Sequence, residues 1–345
     1  MRSLILVDIF TLCSRREYKA KIMQTKFPEV SKAEWLAKVE KDLRGKELSS
    51  LYFEVEGRSF SPLHHRDDSL NKPSPLFTSP SWRIGQEFEF RGVKKTNEAI
   101  LSALNLGVSS IYITGDYNEY LKDGIMEALL DGVLLDLVEV YYDDQNGFPY
   151  QYEGLPHSPD WPQYFSQEFG LLDNITSAMG NDLFLAYSDV TLGTPFPPVF
   201  HVFTSDNFFE TVANFRALRL CWQLLSESCG KQTDCRIVAH PRIIKEGSDE
   251  NSNRIASTTH AMAAVVGGAD TIMLSPGDGG IGTDFSNRIA TNVHHLLQFE
   301  SYLDRVADPA AGSYFIEKLT DHYAERIWHE FQIDTRHKIP ITPLK

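Results

Sequence analysis

A chain of 345 residues, 42% hydrophobic and 23% charged, is long enough for one large globular domain with an extension. Its formal net charge of −14 argues against a nucleic-acid or anionic-membrane surface, since both would repel it. No run of about 18 apolar residues marks a membrane span. The four cysteines (Cys13, Cys221, Cys229 and Cys235) show no CxxC spacing for a metal and no disulfide framework, which fits a reducing cytoplasm.

Residues 1–22 fit poorly with the rest of the chain. Leu4 to Leu12 is apolar but broken by Asp8, and no small-residue cleavage site comes after it, so a secretory signal is not read. The segment is either a start placed too far upstream, with Met23 the natural one, or a frayed helix. Residues 23–81 read as an N-terminal arm. Ser31-Lys32-Ala33-Glu34 has the capping-box pattern. Trp35, Leu36, Val39 and Leu43 then share one helical face, and Gly45 can end the helix. Residues 46–81, rich in Ser, Pro and Asp, are expected to run extended over a surface.

From residue 82 strand-like and helix-like segments alternate. Strand candidates are Trp82–Phe90, Ser110–Thr114, Leu135–Tyr142, Leu183–Ser188, Val199–Thr204, Arg236–His240, Thr271–Ser275 and Leu303–Ala307. Helix candidates fall at 93–106, 117–131, 160–179, 206–229, 252–267, 284–301 and 316–332. This alternation predicts an α/β fold, a (β/α)8 TIM-type barrel over 82–335 with a tail at 336–345. An open doubly wound sheet has the same alternation. Between the fourth and fifth candidates, the prolines at 195, 197 and 198 rule out a helix. Phe196 and Phe200 beside that gap are expected either to face a partner or to plug it from within.

Several residues could carry chemistry. Gly277, Gly279, Gly280 and Gly282 fit a GxGxxG between a strand and a helix. In a barrel, loops after the seventh and eighth strands often hold phosphate on backbone N–H groups, so the run is either a phosphate loop or a flexible connection. His240 ends the sixth strand, at the face where barrel enzymes place their sites, and reads first as a structural histidine, with a site residue as the alternative. His294 and His295 are adjacent on a helix and point apart, so no shared metal is expected. His322 and His329 are expected on the solvated face of the last helix. No catalytic triad and no metal site is read.

The wording of three blocks adds a resemblance. Thr283-Asp284-Phe285-Ser286 with Arg288, Ile289, Ala290, Asn292, Leu297, Gln298, Glu300 and Ser301 is followed by Asp308-Pro309, Gly312-Ser313-Tyr314, Glu317 and Leu319-Thr320. Asn207-Phe208-Phe209-Glu210 precedes Arg216-Ala217-Leu218-Arg219, and Ala261 to Gly268 opens the way to the seventh strand. Together they resemble the substrate barrel of the methylmalonyl-CoA mutase family, closest to its small, non-catalytic subunit. The match is firm from about 200 to 335, fair from 23 to 140 and poor between. The family places a full helix where the prolines lie, so the resemblance implies a barrel trimmed by one helix.

The resemblance implies an intramolecular transferase family that uses adenosylcobalamin to interconvert methylmalonyl-CoA and succinyl-CoA. The arm would wrap a partner subunit, although an arm folded back on its own barrel reads equally well. Substrate positions would be His240, from the family's RTHSQ segment, with Arg242 where the family has Gln, and Gln86 from its W-x-I-R-Q-Y segment. Departures are as telling. Gly85 and Glu87 replace that segment's arginine and tyrosine, no YHxxEAGA follows a middle strand, and no DxHxxG occurs. The expectation is a chain inactive alone, binding no cofactor itself, whose partner is a large catalytic subunit holding adenosylcobalamin or a second copy of itself. The alternatives are a stand-alone barrel that binds CoA or a phosphorylated ligand, and the barrel half of a split mutase.

Overall fold

The structure, a computed structural model, describes residues 30–55, 58–61, 64–65, 68, 75–143, 149–151, 163–165, 179, 186, 198–230, 233–241, 249–274 and 284–338. The leader 1–22, the tail from 339 and the candidate strand at 183–188 (Ala186 apart) lie outside them. The chain divides into two compact units, Met1–Asp67 and Asp68–Lys345.

In the first unit, helix α1 (Lys32–Asp42) starts as its sequence requires. The Glu34 N–H donates to Ser31 Oγ at 3.3 Å, and the Ser31 N–H donates back to the Glu34 carboxylate at 2.9 Å. Two short strands, β1 (Phe53–Val55) and β2 (Arg58–Phe60), pair antiparallel, with Val55 and Phe60 buried. Residues 75–81, read from sequence as part of the arm, belong to the second unit. There Leu76 N–H donates to Asp308 Oδ2 at 2.9 Å, and the Leu76 carbonyl accepts from Gln223 at 2.9 Å. Phe77 packs so closely on Gly268 that a Cβ there would meet its ring at 2.4 Å.

The second unit is a curled sheet with helices outside. Its strands are β3 (Arg83–Glu89), β4 (Ser110–Thr114), β5 (Glu139–Asp143), β6 (Pro149–Gln151), β7 (Gln163–Phe165), β8 (Val199–Phe203), β9 (Arg236–His240) and β10 (Thr271–Met273). Their order is β6-β5-β4-β3-β10-β9-β8-β7. Every pairing is parallel except β5 with β6. The two edge strands β6 and β7 approach within 8 Å between Cα atoms but form no ladder. This is a trimmed TIM-type barrel.

Side chains alternate along each strand. Ile84, Phe88, Ile111, Ile113 and Val140 pack outwards with Ile100 and Ala103 of α2 (Val93–Asn105). Phe200 packs outwards too, its ring 6.1 Å from Trp222 of α5 (Phe208–Ser228). Phe200 is fully buried, so of the two expectations for it, facing a partner is overturned. Phe196 lies outside the described residues.

Three expectations about elements fail. Residues 117–131 are two short helices, α3 (Tyr117–Tyr120) and α4 (Ile125–Leu129), divided where Gly124 takes φ +76°. Within 160–179, Gln163–Phe165 is a strand, because two aromatic residues suit the pleated pairing with β8 better than a helix. Leu303–Ala307 is a turn. Tyr302 (φ 55°) and Asp308 (φ 45°) bound it in left-handed conformations, its Leu303 N–H returns to the Leu297 carbonyl, and Val306 is exposed. The barrel therefore has no eighth strand at that position. β10 pairs directly with β3, Met273 opposite Gly85.

Helices α6 (Glu250–Gly267), α7 (Asp284–His295, continued as a π turn over Leu296–Glu300) and α8 (Tyr314–Lys338) complete the layer. Buried arginines of α5 tie it together. Arg216 pairs with Asp308, donates to Glu317 at 2.8 Å and reaches Thr320. Arg219 donates to Asp234, Asp270 and the carbonyls of Cys235 and Gly268, all at 2.9–3.0 Å. His322, expected in solvent, is buried beside Tyr323, whereas His329 is exposed.

Candidate functional site: the barrel axis

Strand alternation sends Gly85, Ser110, Tyr112, Glu139, Tyr141, Val199, His201, Phe203, Arg236, Val238, His240, Thr271 and Met273 towards the axis. At its centre Tyr112, Tyr141, Val199, Val238 and Met273 form one buried apolar cluster. His201 and His240 sit on it, with Nδ1 of the first 3.0 Å from Nε2 of the second. Tyr141 stands edge-on to His201 at 5.0 Å, and Tyr112 edge-on to His240 at 5.3 Å. Phe203, 5.7 Å from His240, closes this group towards the strand C-termini. Among the described residues the centre of the axis is a packed core.

Electrostatics agree. Burial holds His240 down at about 3. Burial, then the neighbouring His240, then Arg236 hold His201 well below the usual imidazole range. Both rings are therefore neutral at neutral pH, one donating and one accepting between them. Burial, then the charge of Glu139, raises the Tyr141 phenol above its ordinary value. Its O–H donates to Glu139 Oε2 at 3.1 Å. Burial pushes the Cys221 and Cys235 thiols up to about 12, which removes them as nucleophiles.

At the N-terminal end of the strands the axis becomes ionic. Glu139 accepts from Arg83 Nε at 3.1 Å and pairs with Arg236. These residues, with Ser81, Trp82 and Asp270, line a cavity of about 400 Å³.

The substrate positions suggested by sequence do not converge. His240 does lie in the axis, but its Nε2 is engaged by His201. Gln86 points the other way, between β3 and α7, where its Nε2 donates to Asn287 Oδ1 at 3.0 Å. Arg242 and the glycines at 277, 279, 280 and 282 lie outside the described residues. Gly85 has no room for a side chain. A Cβ there would lie 2.4 Å from Met273 Sδ and 2.8 Å from the Ile272 carbonyl. His294 accepts from Trp82 Nε1 at 3.1 Å, while His295 bonds the Leu106 carbonyl, so the adjacent pair does diverge. Among the described residues no group of three or more His, Cys, Asp or Glu could hold a metal.

Sequence reading missed His201, Tyr112, Tyr141, Glu139 and Met273. The period-2 register of β4, β5, β8 and β10 was the signal that would have placed them together.

The fold and axis thus define a trimmed barrel with a filled centre, and the comparisons supply its relatives. The family described as Methylmalonyl-CoA mutase matches residues 198–336, from β8 to α8. The chain is 26% identical over 401 aligned residues to the methylmalonyl-CoA mutase small subunit of Porphyromonas gingivalis, covering 89% of this chain and 63% of that one. It is 27% identical to that of Streptomyces virginiae, covering 90% and 64%. The probable small subunit of Mycobacterium bovis is 38% identical over 143 residues, which is 39% of this chain and 23% of that one. The chain therefore spans less than two thirds of each relative. It is similar to the methylmalonyl-CoA mutase small subunits, and its residues 198–336 match the family.

Proposed function

We propose that this chain is a non-catalytic, small-subunit-like partner of a cobalamin-dependent acyl-CoA mutase, the large subunit carrying the adenosylcobalamin and the isomerisation. The observation that carries the reading is the filled axis. Met273 occupies the space an arginine would need at position 85, and the Tyr112, Tyr141, His201 and His240 rings fill the centre. The described residues do not fit the cofactor either. The histidines in and beside the axis are engaged within the protein, His201 and His240 with each other and His260 with Thr204 at 2.6 Å. Closure at Gly85 also disfavours the barrel half of a split mutase.

A cytoplasmic, soluble role beside a larger chain is the setting this reading needs. Among the described residues no helix is long and apolar enough to cross a membrane. Co-purification from source lysate should recover a large mutase subunit. The isolated chain, given adenosylcobalamin and succinyl-CoA, should show no turnover above a no-protein control. Turnover by the isolated chain, or recovery of a small cobalamin protein instead, overturns the proposal.

A further inference from the structure

We propose that the outer face of α6 is a contact surface for a second copy of this chain, the two α6 helices crossing antiparallel about a two-fold axis near Thr258 and Thr259. The proposal does not depend on the mutase reading.

The inner face of α6 is buried at Ser257, His260, Ala261 and Ala264. The outer face runs along Ile255, Thr258, Thr259 and Met262, at the three- and four-residue spacing that makes one stripe. Ile255 is 72% exposed, the highest value of any large apolar side chain among the described residues, and Met262 is 39% exposed. Thr258 Oγ1 donates back to the Arg254 carbonyl at 3.2 Å, so its proton is engaged within the helix. Phe285 of α7 extends the patch. It is 56% exposed, and the Arg254 guanidinium lies 5.6 Å from its ring centre. Single exposed apolar residues are ordinary, but a contiguous set on neighbouring helices marks an interaction site.

Charge decides what can cover this face. From Ile255 to Gly267, α6 has no Asp, Glu, Lys or Arg. The other long helices of this unit do carry exposed charge, with Glu98 on α2, Glu227 on α5, Arg288 on α7 and Glu325 on α8. A charged surface laid on the α6 stripe would lose water and gain no partner. The occupant is therefore an uncharged apolar stripe, and α6 is itself one. There a chain of net charge −14 can meet its own copy without setting like charges opposite each other. The stripe is also self-matching. Ile255 and Met262 are two turns apart, so an antiparallel crossing centred between them sets each Ile255 against Met262 of the second copy, as a two-fold contact requires.

The test is sedimentation equilibrium of the intact chain from about 1 to 100 μM, the range that populates contacts of micromolar strength. A reversible dimer is expected. Ile255→Glu puts a carboxylate into the contact twice, once from each copy, and should raise the dissociation constant at least about tenfold. Met262→Glu should do the same by symmetry, and it serves if the first variant misfolds. Leu134→Glu, at a 67% exposed leucine before β5, should leave dimerisation unchanged. A monomer across the whole range overturns the proposal, as does a dimer that both α6 variants leave intact or that Leu134→Glu weakens as much. A monomeric wild type whose α6 variants lose a co-purifying larger chain assigns the face to that chain and overturns it too.

Discussion

The outer helix layer and the barrel axis bury polar groups in opposite ways. In the outer layer charge is buried as charge. Arg216 is fully buried against Asp308 and Glu317, and Arg219 against Asp234 and Asp270, with backbone carbonyls taking further donors. At the centre of the axis polar groups are buried neutral, as the His201–His240 pair and the Tyr112 and Tyr141 rings. Removing one member of a buried ion pair strands the other, while neutral rings can be replaced by apolar ones of similar shape at much lower cost. The layer carrying the family's wording is thus the one least tolerant of change. Asp308, Glu317 and Thr320, all in the matching block, are partners of Arg216.

The sharpest break of that contrast is Arg216→Ala. Stranding Asp308 in a dry site should cost about 3–5 kcal/mol, read as a lower urea midpoint. Adding Asp308→Asn should recover part of the loss by removing the stranded charge. A loss below about 1 kcal/mol would place the pair among surface bridges and erase the contrast.

Acid should act on the buried histidines next, two in the axis and His294 on α7. His240 and His294 titrate near 3 when folded, and His201 well below its ordinary value. Their unfolded counterparts titrate near 6.5. The unfolded state therefore binds more protons as pH falls, so the stabilisation is complete above about 6.5 and is lost from there towards 3. Each such histidine removes up to about 1.4 kcal/mol per pH unit within that window. Urea midpoints at pH 7, 6 and 5 should decline, and the double variant His201→Phe with His240→Leu should decline less steeply. Identical slopes would show that the pair is not what acid attacks.

Gly85→Ala tests closure of the axis. The added methyl meets Met273 and a backbone carbonyl, and overpacking of that kind costs about 1–3 kcal/mol. A neutral result would mean that Met273 swings aside and the axis can open. The smallest effect is expected away from both regions. Ser31→Ala removes the α1 cap and should cost the first unit about 1 kcal/mol, seen as lower helix content on mild heating. No change in helix content would show that α1 does not depend on its cap.

Local signals carried much of the fold. The capping box at Ser31, the strands at Ser110–Thr114 and Arg236–His240, and the long helices from Phe208 and Glu250 all come from short-range pattern. The matching blocks gave the family, because identical wording over a long stretch needs no geometry to be read. Two things could not be read locally. Leu303-Asp304-Arg305-Val306-Ala307 has a strand-like composition, yet it is a turn, and β10 pairs directly with β3 so that no ladder between them is open to it. Gln86, matched by wording to a substrate position, faces the helices, because its place in the two-residue alternation of β3 decides which side it occupies. Sequence determined the elements with strong short-range pattern and whom they resemble. Only the tertiary structure decided that Met273 fills the space at Gly85 and that His201 meets His240, since both are contacts between strands far apart in the chain.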